Sequence, residues 1–229
     1  MPTPNITLST RAPAGVILAG GLSRRMFASE GATSADRPAG DKALLPLGAT
    51  SMVGHVIARI APQVSGLVIN ANGNAARFAE FGLPVVADTV AGFVGPLAGV
   101  LAGLRWAAVN HPVATHVVSV SADAPFLPAD LVHRLTAATK RNPGGIALAQ
   151  SAGELHPVIG CWPVALTDDL EAALKSGVRK VLRWTDQHGT IPVDFDFQVI
   201  GGERIDPFFN ANTPAELDEA RRLLALQAP

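Results

Sequence analysis

Gly15-Val16-Ile17-Leu18-Ala19-Gly20-Gly21-Leu22-Ser23-Arg24-Arg25-Met26 is the stretch on which the fold turns. Its first four residues form a short apolar run without polar alternation, as expected of a strand covered on both faces, and such strands belong to parallel sheets sandwiched by helices. The run stops at paired glycines, which let backbone amides approach an anion with no Cβ in the way. The spacing is neither Gly-x-Gly-x-x-Gly nor Gly-x-x-x-x-Gly-Lys-Ser/Thr, so the dinucleotide and P-loop fingerprints do not apply. On these residues alone an anion site and an ordinary strand-to-helix turn are equally good readings.

Working outward, the same rhythm repeats. Ser51 to Ile60 carries apolar residues at helical spacing and is closed by Pro62. Gly66 to Ile69 is a second apolar strand ending at Asn70-Ala71-Asn72-Gly73, and a short helix over Ala75 to Phe81 leads to a third strand, Leu83 to Ala87, ending at Asp88. Pro96 to Val109 predicts a helix whose small residues suit close packing, and His116 to Val120 a fourth strand running into Ser121-Ala122-Asp123. A helix is expected from Leu127-Pro128 to about Arg141, with Pro128 near its first turn. Ile146 to Gln150 and Val158 to Trp162 read as an antiparallel hairpin through Ser151-Ala152-Gly153. Helices over Val164 to Lys175 and Val178 to Trp184, a strand over Ile191 to Phe195, and a helix from Pro214 to Leu226 capped by Thr213 complete the chain. Three strands thus end in polar residues, Asn70, Asp88 and Asp123, where open α/β sheets bind ligands.

The bulk properties agree. With 229 residues, 48% hydrophobic and 16% charged, the chain fits one globular domain, expected over 14–229 behind a flexible tail over 1–13. A net charge of -1 gives no footprint for a nucleic-acid backbone. The single cysteine, Cys161, rules out an intramolecular disulfide and suits a reducing cytoplasm. The richest apolar stretch, Val94 to Val109, is broken by Gly99, Gly103 and Arg105, so no membrane span is expected. The six histidines show no metal-ligand spacing, and His156, in Leu155-His156-Pro157, is the best placed for the edge of a site.

Among residues that carry chemistry, Arg25 and Lys42 offer two cations near the glycine loop, enough to offset the charge of a triphosphate that otherwise repels a nucleophile. Asp123 stands at a strand end within a proline-bounded turn, a fitting single carboxylate for Mg²⁺, which takes one or two protein carboxylates and fills its shell with phosphate oxygens and water. Asp88 suits either the N1–H and N2–H₂ edge of guanine or ribose hydroxyls, and the sequence does not separate the two.

Taken in order, Leu18-Ala19-Gly20-Gly21-x-Ser-x-Arg-Met, Asp41-Lys42, Ile69-Asn70-Ala71-Asn72, Gly95-Pro96-Leu97-Ala98-Gly99 and Asn210-Ala211-Asn212-Thr213-Pro214-x-Glu216-Leu217 resemble the blocks of the molybdenum cofactor guanylyltransferases. The resemblance runs from Ala14 to about Leu224. It implies an α/β fold, a single-domain three-layer Rossmann-like nucleotidyltransferase with a mostly parallel sheet and an antiparallel hairpin. It further implies a Mg²⁺-dependent, cytoplasmic enzyme with GTP and molybdopterin as substrates, whose protein partners would be molybdoenzyme apo-proteins or other cofactor-assembly proteins. Leu18, Ala19, Gly20, Gly21, Lys42, Asn70, Asp88 and Asp123 would surround GTP, Arg25, Lys42 and Asp123 would carry catalysis with Asp123 on the metal, and Asn210 and Asn212 would face the pterin.

Two departures from the family pattern stand out. Phe27 occupies the place of a usual glycine, and 14 residues, 27–40, separate Met26 from Asp41 where the family has a few. Ser121-Ala122 stands where Pro-Cys is typical. The alternatives are a cytidylyltransferase acting on the same cofactor, another small-molecule nucleotidyltransferase of the same fold, a nucleotide-binding regulator without turnover, and a structural or partner-binding protein.

Overall fold

The computed structural model describes residues 12–20, 26, 41–90, 92, 95–142 and 144–227. The expected tail over 1–13 therefore falls mostly, and the loop extension over 28–40 entirely, outside the described residues.

The elements follow the sequence closely. Strand β1 (Ala14–Leu18) leads, across the glycine loop, to a 3-10 turn at Lys42–Leu44 and a small antiparallel ribbon, β2 (Pro46–Leu47) and β3 (Thr50–Ser51). Helix α1 (Met52–Ile60) begins where the Ser51 side chain accepts from the Gly54 amide, and it is followed by β4 (Leu67–Asn70). A 3-10 helix over Ala75–Phe81 leads to β5 (Val85–Val86), α2 (Pro96–Asn110) and β6 (His116–Ser121). Helix α3 (Leu131–Thr139) starts later than the sequence suggests. Pro128 lies before it, and its carbonyl accepts from the Leu131 amide at 3.3 Å, while the Gln63 side chain satisfies the Val132 amide at 3.0 Å. The second half holds β7 (Ile146–Ser151), β8 (Glu154–Pro163), α4 (Thr167–Lys175), α5 (Val181–Thr185), β9 (Thr190–Asp194), the ribbon β10 (Gln198–Ile200) and β11 (Glu203–Ile205), and α6 (Pro214–Gln227).

Seven strands form one sheet in the order β5-β4-β1-β6-β8-β7-β9. Only β8 runs against the others, so the expected hairpin sits inside the sheet, with β9 parallel to β7 at the outer edge. Its two-residue turn holds Ala152 and Gly153 at φ 49 and 85, as a tight hairpin requires.

Alternate side chains of the central strands point to opposite faces and define the outer layers. Ile17, Ile69, Val118 and Val120 pack with α1, α3 and Phe78 on one face. Val16, Val68 and Val117 pack with α2, α4, α5 and the stacked indoles of Trp162 and Trp184 on the other. A smaller cluster joins Met26, Leu47, Met52 and Phe126 to Ile200 and α6. Cys161 is buried, and burial pushes its thiol up to about 12, so it stays protonated and inert.

The chain leaves β1 for β4 and β5 on one side, then crosses through α2 to β6 on the other. The carboxyl ends of β1 and β6 therefore flank the point where the strand order reverses, the usual place for a ligand in an open α/β sheet.

Candidate functional site

At that reversal, β1 is pinned from both sides. The Ala19 amide donates to the Asn70 carbonyl at 2.8 Å, and the Ala122 amide to the Leu18 carbonyl at 3.1 Å. Leu18, Ala19 and Gly20 thus lie between the ends of β4 and β6. A Cβ placed on Gly20 would meet the side chains of Asn70 and Asn72 at 3.7 and 3.8 Å, so among the described residues nothing crowds this backbone. Gly21 and Arg25 lie outside the described residues, whereas Met26 is buried in the cluster with Leu47, Met52 and Phe126.

Close approach of α2 depends on glycine. A Cβ on Gly99 would fall 2.3 Å from Asn70 Oδ1 and 2.8 Å from Leu18 Cδ2, and one on Gly103 would fall 2.7 Å from Val16. One turn apart on the same helical face, the two glycines seat α2 against β1 and beside Asn70.

Lys42 and Asp123 meet as an ion pair, although 81 positions separate them. Lys42 Nζ also donates to Asn212 Oδ1 at 2.6 Å, and Ser121 Oγ donates to the second oxygen of Asp123. Both oxygens of the carboxylate are therefore engaged, with the Asp123 side chain 8% exposed and that of Lys42 16%. Behind Lys42, Asp41 caps the 3-10 turn by accepting from the Ala43 amide at 3.0 Å and receives Arg77 Nε at 3.0 Å. The same guanidinium donates to the Asn74 and Asn72 carbonyls, tying the Lys42 turn to the loop after β4.

The second cluster lies at the end of β4. Asn70 Nδ2 donates to the Val86 carbonyl and to Asp88 Oδ1 at 3.0 Å. Asn72 Nδ2 donates to Asp88 Oδ2 at 2.9 Å while its Oδ1 accepts from the Asp88 amide at 2.9 Å. The carboxylate of Asp88 is oriented by two amides and keeps lone pairs for further donors. Asn72 had no role assigned from sequence. Its signal was present: Asn70 and Asn72 are two apart, so at a strand end they leave on one face.

The segment before α6 closes the site. The Ala211 amide donates to the Asp123 carbonyl at 3.1 Å, which lays Asn210 and Asn212 against the end of β6. Thr213 caps α6 as expected, accepting from the Glu216 amide at 3.3 Å, and Glu216 reaches back to the Asn212 and Thr213 amides at 2.8 and 2.9 Å. Asn210 Oδ1 is buried and has no donor among the described residues.

Lys42, Asp123 and Asn212 thus come into direct contact, Asn70 joins Asp88, and Leu18 to Gly20 pass between the two groups. One carboxylate, a lysine and open strand-end backbone suit a divalent cation that arrives with a polyphosphate. Among the described residues, no group of three or more His, Cys, Asp or Glu forms a cage that would hold a metal by itself. Nor is any helix among them long and apolar enough to cross a membrane.

Residues 15–190 match the family model of the MobA-like NTP transferase domain. The chain is 49% identical over 220 residues to a molybdenum cofactor guanylyltransferase of Bradyrhizobium sp. strain ORS 278, covering 96% of each chain. It is 47% identical to one of Mesorhizobium japonicum, covering 92% of this chain and 95% of the relative. Among solved structures, the molybdopterin-guanine dinucleotide biosynthesis protein A of Archaeoglobus fulgidus shares the fold, with a TM-score of 0.69 at 19% identity over 93% of this chain and 98% of that one.

Proposed function

Because the chain belongs to the MobA-like NTP transferase domain family, alongside the molybdenum cofactor guanylyltransferases, we propose that it transfers GMP from GTP to the terminal phosphate of molybdopterin. A phosphate oxygen of molybdopterin bonds to the α-phosphorus of GTP, the bond from that phosphorus to the bridging oxygen breaks, and pyrophosphate leaves. The observation that carries the reading is the convergence of Lys42, Asp123 and Asn212 at the reversal between β1 and β6.

A phosphate monoester dianion is already a nucleophile, so the reaction needs positioning and charge neutralisation more than a strong base. The backbone from Leu18 to Gly20 follows the triphosphate, Gly21 and Arg25, outside the described residues, belong to the same loop by sequence, and Lys42 and Arg25 offset its charge. Asp123 would hold a Mg²⁺, which when bound supplies positive charge to phosphate oxygens. Asn70 and Asn72 hold Asp88 for the base or ribose, and a guanine edge offers a carboxylate two parallel donors. Asn210 and Asn212 serve the pterin side, where Asn210 Oδ1, without a donor among the described residues, provides an acceptor. Molybdoenzyme apo-proteins or other assembly proteins would receive the product in the cytoplasm.

Pyrophosphate release from GTP in the presence of Mg²⁺ and molybdopterin tests the assignment. Asp123→Ala is expected to lower turnover by about a hundredfold or more with an unchanged circular dichroism spectrum, and chelation of the metal should do the same to the parent protein. Full activity in Asp123→Ala would overturn the metal assignment.

A further inference from the structure

Strand β8 breaks register where it passes the site. Leu148 opposes Gly160, but the next residue, Ala149, opposes His156, so Pro157, Val158 and Ile159 have no counterpart on β7. Irregularities of this kind re-aim side chains beside active sites. Here the residue re-aimed is His156. Its ring lies 4.6 Å from that of Phe208, and its Nε2 lies 2.7 Å from Ser151 Oγ.

Ser151 is 2% exposed, and its hydroxyl also lies 2.8 Å from Asp206 Oδ2. A hydroxyl has one proton, and a carboxylate only accepts. The proton therefore goes to Asp206, and His156 Nε2 must carry the hydrogen that the serine oxygen accepts. This direction excludes a serine activated by histidine. Burial holds the His156 pKa below its usual value against the opposing pull of Asp206 and Glu154, which favours the neutral ring, and the bond to Ser151 then puts its hydrogen on Nε2.

From Asp206 the bonds continue into the site. Asp206 Oδ1 accepts from the Phe208 amide at 2.8 Å, and its carbonyl accepts from the Phe209 amide at 3.0 Å. That turn launches Asn210-Ala211-Asn212, whose middle amide is bonded to Asp123. We propose that His156, acting through Ser151 and Asp206, is the positioning residue that sets the Asn210–Asn212 arm for the second substrate. The proposal rests on the reading that this arm faces molybdopterin.

The test measures KM for molybdopterin, Kd for GTP and the thermal midpoint in His156→Asn, His156→Gln, Ser151→Ala and Asn212→Ala. Glutamine can place an amide N–H where Nε2 stood, and asparagine is too short to do so. His156→Asn and Ser151→Ala are each expected to raise the molybdopterin KM about tenfold, the scale of one lost hydrogen bond, with GTP affinity and thermal midpoint nearly unchanged. His156→Gln should restore most of the loss. A molybdopterin KM unmoved in His156→Asn and Ser151→Ala while Asn212→Ala raises it would overturn the proposal alone. Equal loss in the asparagine and glutamine variants, or a parallel loss of GTP affinity, would also overturn it, since a merely structural role behaves that way. If Asn212→Ala leaves the molybdopterin KM unchanged, the reading of the arm fails, and the proposal with it.

Discussion

At the residue scale, Asp123 is held by two donors, Lys42 on one oxygen and Ser121 on the other. A cation binding this carboxylate meets the like charge of the lysine and competes with it, and a triphosphate offers the lysine a new partner. Metal and nucleotide should therefore bind together more readily than metal alone. Lys42→Met frees an oxygen of Asp123 and removes a like charge, so it is expected to bind Mn²⁺ alone several-fold more tightly while losing GTP affinity, by about tenfold or more. Electron paramagnetic resonance of free Mn²⁺ in titrations with and without GTP reads both effects, and unchanged Mn²⁺ binding would disprove the exchange. The sequence supplied Lys42 and Asp123 as separate candidates, because each stands beside a strand end or an apolar run. The family resemblance set both around one nucleotide, but their direct ion pair was not legible, since nothing local links positions so far apart. The same holds for Ser151, Asp206 and Arg77, polar residues whose importance lies only in what they touch.

At the element scale, helix α2 shows how backbone shape places a side chain. Gly99 and Gly103 allow the helix to lie on β1, and Gly99 faces Asn70. Gly99→Val would drive a branched side chain into Asn70 and Leu18. Overpacking of this kind costs about 1–3 kcal/mol, read as a lower urea midpoint, and GTP affinity should fall as Asn70 is pushed from Asp88. Gly95→Ala, at a position that meets no neighbour among the described residues, should change neither. Long elements such as α1, α2, β6 and α6 were readable from period and caps. The ribbons β2–β3 and β10–β11 were not, because strands of two or three residues carry too little alternation to register. Helix α3 was read too early because Pro128 fits a first helical turn as well as the turn that precedes one. Thr213 fits its reading as a helix cap, and the neighbouring Asn212 reaches Lys42, a contact no local pattern announces.

At the scale of the whole molecule, the crossover from β1 to β4 and then to β6 puts the end of β1, up to Gly20, beside the end of β6 that carries Asp123. The parallel core was legible because strands buried on both faces read as continuous apolar runs. The position of the hairpin inside the sheet was not, because strand order depends on long-range pairing that no local pattern encodes. The central claim is a transfer specific to guanine nucleotides, and a turnover assay with GTP and CTP in parallel, each with Mg²⁺ and molybdopterin, tests it most directly. GTP should yield pyrophosphate and a guanine dinucleotide, with CTP at least about a hundredfold poorer in kcat/KM, the discrimination that a site built for specific donors achieves. Equal product from CTP would contradict the guanine assignment, and no product from either would contradict the enzyme itself.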